Sequence, residues 1–167
     1  MSLSTFISKF ISFIMGGLTF IFFNLSIFSP YWGGITNIFG NVIAVQNLYF
    51  SCDLNTCTDL EGGALVNTCK TIVSIMLIVY YASVILQILA FFLSFLRLTR
   101  VYGFIYLGLA VGVLMLLIVF PTAVYPLDAE PGRDLLWGYW CLLFTFFLLL
   151  GTASDCLRFT NDTYPGI

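Results

Sequence analysis

Five cysteines and a thin scatter of charged side chains are the groups in this sequence whose types and spacing could do chemistry. Cys52 and Cys57 enclose Asp-Leu-Asn-Thr, and a hairpin turn of that length brings two Cβ atoms within disulfide reach. Cys69 lies in the same segment, so three single pairings are possible, of which the hairpin spacing favours Cys52–Cys57. Closing so short a loop contributes about 2 kcal/mol by chain entropy, and its main effect is to fix the register of the hairpin. Cys141 falls inside an apolar run and reads as a packing residue. Cys156, beside Arg158, is a candidate palmitoyl acceptor, with a small interfacial residue as the plainer reading.

Catalysis finds little support. There is no histidine, which removes the usual general base and the commonest metal ligand. The cysteines form no C-x-x-C pair, and no Gly-rich phosphate loop is recognisable. The sequence therefore reads as non-enzymatic, with no catalytic or metal-binding residue and no cofactor. Nucleic acid is excluded as a partner by a formal charge of −2.

The elements that must position these groups are apolar. Hydrophobic residues make up 60% of the chain, charged ones 8%, and the mean hydropathy is +1.04, which places it in the membrane class. Four runs, at about 6–28, 71–96, 103–125 and 135–157, are long enough to cross a hydrocarbon core, which needs roughly 20 helical residues. The first exceeds a signal-peptide h-region and reads as a retained anchor. Pro121 is tolerable near a span end.

Lys9, Arg97, Arg100 and Arg158 flank the runs on one side, and Lys70 and Arg133 on the other, which predicts cytoplasmic N and C termini. External segments then run from about 29 to 70 and from about 126 to 134, with a cytoplasmic turn at 97–102 and a tail at 158–167. Asp53, Asp59, Glu61, Asp128, Glu130 and Asp134 all fall outside. Within the first segment "NVIAVQNLYFSC" is β-patterned, and with "YWGGIT" and "CTDL" it predicts three or four short strands. So small a sheet must lean on the helix ends or be stapled.

In the spans, Gly108 and Gly112 form a small-x-x-x-small pair, and Gly151 with Ala153 and Ser154 makes a narrow face; both suit helix packing. Gln87 is a polar side chain deep in the second run and predicts an interhelical hydrogen bond.

Four spans with the larger external loop first, Trp32 near its start, then Asn47-Leu48-Tyr49 and the Cys52, Cys57 pair, resemble the claudin and peripheral myelin protein superfamily. That family carries Trp, then Gly-Leu-Trp, then Cys and Cys in its first loop. Here Asn47 stands for the Gly and Tyr49 for the second Trp, and the intervals are shorter than in most claudins. "RLTRVYGFIYLGLAVGV" and "LLWGYWCLLF" are similar to the third and fourth spans of the peripheral myelin branch. The resemblance covers nearly the whole chain in layout and about five residues in motif. It implies an all-α membrane protein: a left-handed four-helix transmembrane bundle under a small extracellular antiparallel β-sheet. Its disulfide would join the last two strands, and Trp32 and Leu48 would anchor the sheet to the membrane surface. From the residues alone, a Trp just beyond a span end belongs at the headgroup level.

Two functions fit this layout in the plasma membrane. One is cell–cell junction, adhesion or paracellular barrier formation, with copies of the chain meeting laterally or across a gap. The other is an auxiliary subunit or organiser binding another integral membrane protein sideways in the bilayer. Other four-span groups fit less well. MARVEL proteins remain a third possibility, tetraspanins carry their large loop second, and four-span membrane enzymes need a polar, Arg-rich face.

Overall fold

The computed structural model describes residues 3–53, 55–60, 63–93, 96–126 and 132–163. In chain order the elements are helix α1 (Leu3–Phe28), strands β1 (Gly33–Thr36), β2 (Val42–Gln46), β3 (Phe50–Asp53) and β4 (Cys57–Asp59), then helices α2 (Ala64–Leu93) and α3 (Leu96–Val119). A π-turn at Phe120–Val124 extends α3, and strand β5 (Arg133–Leu135) leads into α4 (Trp137–Thr163). Ala64–Leu89, Val101–Val124 and Trp137–Arg158 are long and apolar enough to cross a membrane, and Phe13–Phe28 forms a shorter apolar stretch of α1. Helix α4 packs most extensively, against both α3 and α1, whereas α2 lies against α3 and meets α1 lightly.

The helices overrun the apolar limits read from sequence. Helix α2 begins at Ala64, ahead of the apolar run at 71–96, and in its first turns Thr68 Oγ1 donates to Ala64 O at 2.8 Å and Thr71 Oγ1 to Asn67 O at 2.9 Å. Residues 97–102, expected as a turn, are helical within α3, as Arg and Leu permit. Helix α4 likewise continues to Thr163, into the expected tail.

Pro121 shapes the outer end of α3. Lacking an N–H, it cannot bond the carbonyl of Leu117, and the backbone widens so that Tyr125 N donates to Phe120 O at 2.6 Å. The freed Leu117 carbonyl is taken up by Tyr139 Oη of α4 at 2.7 Å. The proline's defect thus becomes a bond between helices.

The five strands form one antiparallel sheet in the order β4-β3-β2-β1-β5. The fifth strand comes from the second connecting segment, which sequence alone read as a plain loop, and it pairs Arg133 with Ile35 and Leu135 with Gly33. A three-residue strand has no periodicity to detect; the open edge of β1 orders it. Gly33 is required where the sheet meets the bundle, since a Cβ there would lie 2.7 Å from the Tyr125 ring.

The Tyr139–Leu117 bond makes a coupled prediction. Tyr139→Phe should destabilise the protein by about 1–2 kcal/mol by leaving a buried carbonyl unpaired. In a Pro121→Ala background, where the helix can bond Leu117 itself, that cost should shrink to within about 0.5 kcal/mol. Thermal unfolding of the four members of this cycle in one detergent checks it; equal costs in both backgrounds would contradict the account.

Candidate functional site

The residues that suggested a first-loop motif converge where the sheet meets the helix ends. Trp32 is 1% exposed, its ring edge on Phe120 at 5.1 Å between centroids and its Nε1 donating to Ser26 O of α1. It is therefore a buried anchor between the sheet and the helix ends. Exposed aromatic side chains nearby are Tyr31, stacked on Trp137 at 5.8 Å, and Trp140. Leu48 is as buried as Trp32 and belongs to the same core.

Asn47 builds a turn with its side chain. Its Oδ1 accepts from Tyr49 N at 2.7 Å and Phe50 N at 2.9 Å, which builds the β2–β3 turn, while Nδ2 donates to Ser29 O at 3.1 Å just beyond α1. One buried amide shapes the turn and ties it to the bundle. Tyr49 lies beside Lys70, 6.0 Å from Nζ to ring centroid, and burial raises its phenol pKa above the ordinary value, partly offset by a bond to Ser74.

Cys52 and Cys57 form a disulfide across β3 and β4, where they are directly paired. Cys69 is a free, buried thiol in α2. The turn between the bridged cysteines is held by Asp53, whose Oδ1 accepts from Thr56 N at 2.8 Å, Asn55 N at 3.0 Å and Thr56 Oγ1 at 3.1 Å. Those bonds, the Thr56 amide foremost, hold the carboxyl below its usual range.

Among the described residues no strand pairs with the outer side of β4. Thr56 O bonds Asp53 N and Leu60 N bonds Tyr49 O, with Ser51 and Thr58 paired between them. Even-numbered residues of this stretch therefore turn inward, and the backbone groups of Cys57 and Asp59 face out. Asp59 on this edge strand and Asp134 on the opposite one are exposed. Glu61, Asp128 and Glu130 lie outside the described residues.

At the far end of β1 and β2 the turn is built by another asparagine. Asn37 Oδ1 accepts from Phe39 N at 3.0 Å and Asn41 N at 2.9 Å, its carbonyl accepts from Gly40 N at 2.9 Å, and Gly40 takes φ +77°. The turn holds out Ile38 and Phe39, which are 94% and 80% exposed.

The helix-packing residues separate. A Cβ on Gly112 would lie 2.7 Å from Met76 Sδ, so this glycine seats α2 on α3, whereas one on Gly108 would meet nothing within 4 Å. Gly151 faces Met15 of α1 at 3.4 Å. Gln87 Oε1 accepts from Tyr106 Oη at 2.7 Å, and its amide rests on Gly16, where a Cβ would come within 2.8 Å. Nothing in the periodicity marked Gly16; the signal is visible only as a small residue across from Gln87. Tyr81 Oη adds a bond to Asn24 Oδ1 between α2 and α1. Cys156 is 3% exposed within the core, so its thiol is not presented for acylation, and Cys141 is half-buried in α4.

The chain matches no protein-family model and no curated protein. The site has its own geometry: a docked sheet with edge strands β4 and β5, a disulfide-closed hairpin and an apolar tip.

Asp53 gives the hairpin a pH dependence of definite sign. Because its folded carboxyl titrates low, its support for the turn is complete above the unfolded value of about 3.9 and is lost as pH falls through the lower folded value. Hydrogen-exchange protection factors at the Asn55 and Thr56 amides should hold down to about pH 4 and fall below it. Asp53→Ala should lack that protection at neutral pH; unchanged protection in the variant would show that the disulfide alone orders the turn.

Proposed function

We propose that this chain is a claudin-like, four-span protein of the plasma membrane, with cytoplasmic termini and an external sheet, that acts without catalysis in adhesion or barrier formation between cells. The observation that carries this reading is the presentation of the sheet. Trp32, Leu48 and Asn47 fasten its root to the helix ends, and its far end offers a pre-ordered, uncharged apolar tip. A surface ordered before contact loses little entropy on contact, which suits recognition across a gap. Exposed Asp53, Asp59 and Asp134 would give that gap an anionic lining that favours passing cations. On this reading the partners are the lipid bilayer and further copies of the chain.

A second reading, an auxiliary subunit or membrane organiser binding another integral protein laterally, rests on Gly108. A Cβ on this glycine of α3 would meet nothing within 4 Å among the described residues of other elements, beside the exposed side chains of Phe104, Leu107 and Val111. A small residue among large ones on an outer helix face admits a close partner helix.

Mixed cultures of junction-free cells, with tagged protein in all cells or in half, separate the two. Adhesion predicts enrichment confined to borders where both cells express the protein, followed by a change in ion permeability across the layer. A uniform distribution would overturn adhesion in favour of the lateral reading, and gentle detergent extraction should then retain a partner that Gly108→Leu releases.

A further inference from the structure

We propose that Asn55 is an N-glycan acceptor whose use is decided by the Cys52–Cys57 bridge: chains glycosylated before the bridge closes carry a glycan on the β3–β4 turn, and chains that close first carry none. The inference rests on the external placement of the sheet in the reading above. Asn55-Thr56-Cys57 is an acceptor sequence of the Asn-x-Ser/Thr kind with a thiol in the third position. A thiol is a weaker hydrogen-bond donor than a hydroxyl and serves that position poorly, and a disulfide sulfur has no S–H at all. In the folded chain Cys57 is bonded to Cys52, and Thr56 Oγ1 donates to Asp53 Oδ1 at 3.1 Å. The hairpin thus consumes the acceptor sequence that it contains.

Placement supports the same assignment. Gln46 pairs with Gly33 at the root of the sheet, and Asn47 Nδ2 holds that root to Ser29 O at 3.1 Å. Strand β3 runs away from the root between Phe50 and Asp53, and β4 returns from Cys57, so the turn joining them lies on the side away from the end of α1. Asn55 is exposed there, and it is the backbone N that Asp53 Oδ1 engages, at 3.0 Å. A glycan already on the side chain is therefore compatible with later closure of the bridge. Asn67-Thr68-Cys69 is spelled the same way but stands directly ahead of the apolar run at about 71–96, and Cys69 is buried in α2. It supplies an internal control.

Two reactions compete for the segment as it is made. In one, Asn55 Nδ2 bonds to the anomeric carbon of an oligosaccharide carried on a polyprenyl diphosphate. The bond from that carbon to the diphosphate oxygen breaks, the diphosphate leaves with the electron pair, and the amide nitrogen gives up one proton. In the other, the Cys52 and Cys57 thiols lose two protons and two electrons to the disulfide of an oxidoreductase, which becomes a dithiol. A sequence separation of 5 makes the loop short to close, so the bridge is favoured and the glycan marks a minority of chains.

The test expresses the full chain in cultured animal cells and reads, on gels, the mass shift that peptide N-glycosidase removes. Wild type should show a minor shifted band. A reductant present during synthesis should raise it severalfold, and Cys52→Ser should do the same by leaving Cys57 a thiol. Cys57→Thr should shift nearly all of the chain, Asn55→Gln should abolish the shift, and Asn67→Gln should match wild type. Occupancy is set during synthesis, so variants that later misfold still report. Phe39→Thr, which completes an acceptor sequence at Asn37 of the same sheet, checks the placement separately. No more glycan on Cys52→Ser than on wild type, beside a shifted Cys57→Thr, would overturn the proposal and leave the external placement standing. A wild-type shift that survives Asn55→Gln, or an unshifted Cys57→Thr beside a shifted Phe39→Thr, would do likewise. Neither Cys57→Thr nor Phe39→Thr shifting would overturn the external placement, and this inference with it.

Discussion

The burial of one indole carries the architecture. A sheet whose strands run from three to five residues has too little core to stand alone, and it persists here because Trp32 is sunk between the sheet and the helix ends. The same residue serves the helix. Ser26 is among the last four residues of α1, whose carbonyls have no partner within the helix, and Trp32 Nε1 supplies one. Asn47 does the same for Ser29 just past the helix end. The end of α1 and the root of the sheet thus complete each other, and removing either leaves buried polar groups in the other.

The logic recurs at the end of α3, where Pro121 leaves a carbonyl open and Tyr139 closes it from α4. Between these two repairs runs an aromatic column, from Trp32 through Phe120 to Tyr125, capped by Arg133 4.8 Å from the Tyr125 ring centroid. Arg133 belongs to the fifth strand, so the column joins both connecting segments to the bundle. Deeper in, Gln87 with Tyr106 and Tyr81 with Asn24 pair polar groups across helices. The sheet is accordingly positioned by the helices beneath it, which is what lets its tip and edge act as defined surfaces.

Much of this was legible in the sequence because it follows from composition and local chemistry. The apolar runs marked the helices, and the β-branched and aromatic stretch at 41–52 marked β2 and β3. The spacing of Cys52 and Cys57 around a turn sequence matched a hairpin that the structure closes with Asp53. What escaped depends on contacts far apart in the chain. Three residues at 133–135 are a strand only because β1 offers an edge, and Trp32 is buried only because Phe120 and Ser26 meet it. Helix α2 starts ahead of its apolar run, in polar turns that hydropathy counts against a span. The Ile38–Phe39 tip was not singled out in the sequence, and only the fold shows that it projects.

The account stands on the sheet lying outside a membrane that the helices cross. The most direct measurement is labelling of single introduced cysteines in intact cells with a membrane-impermeant thiol reagent, at the exposed positions Ile38→Cys and Asn55→Cys and at Ser2→Cys beside the N terminus. Both sheet positions should react from outside, and position 2 only after the membrane is permeabilised. Labelling of position 2 in intact cells with protection of positions 38 and 55 would invert the topology and contradict every role assigned to the sheet.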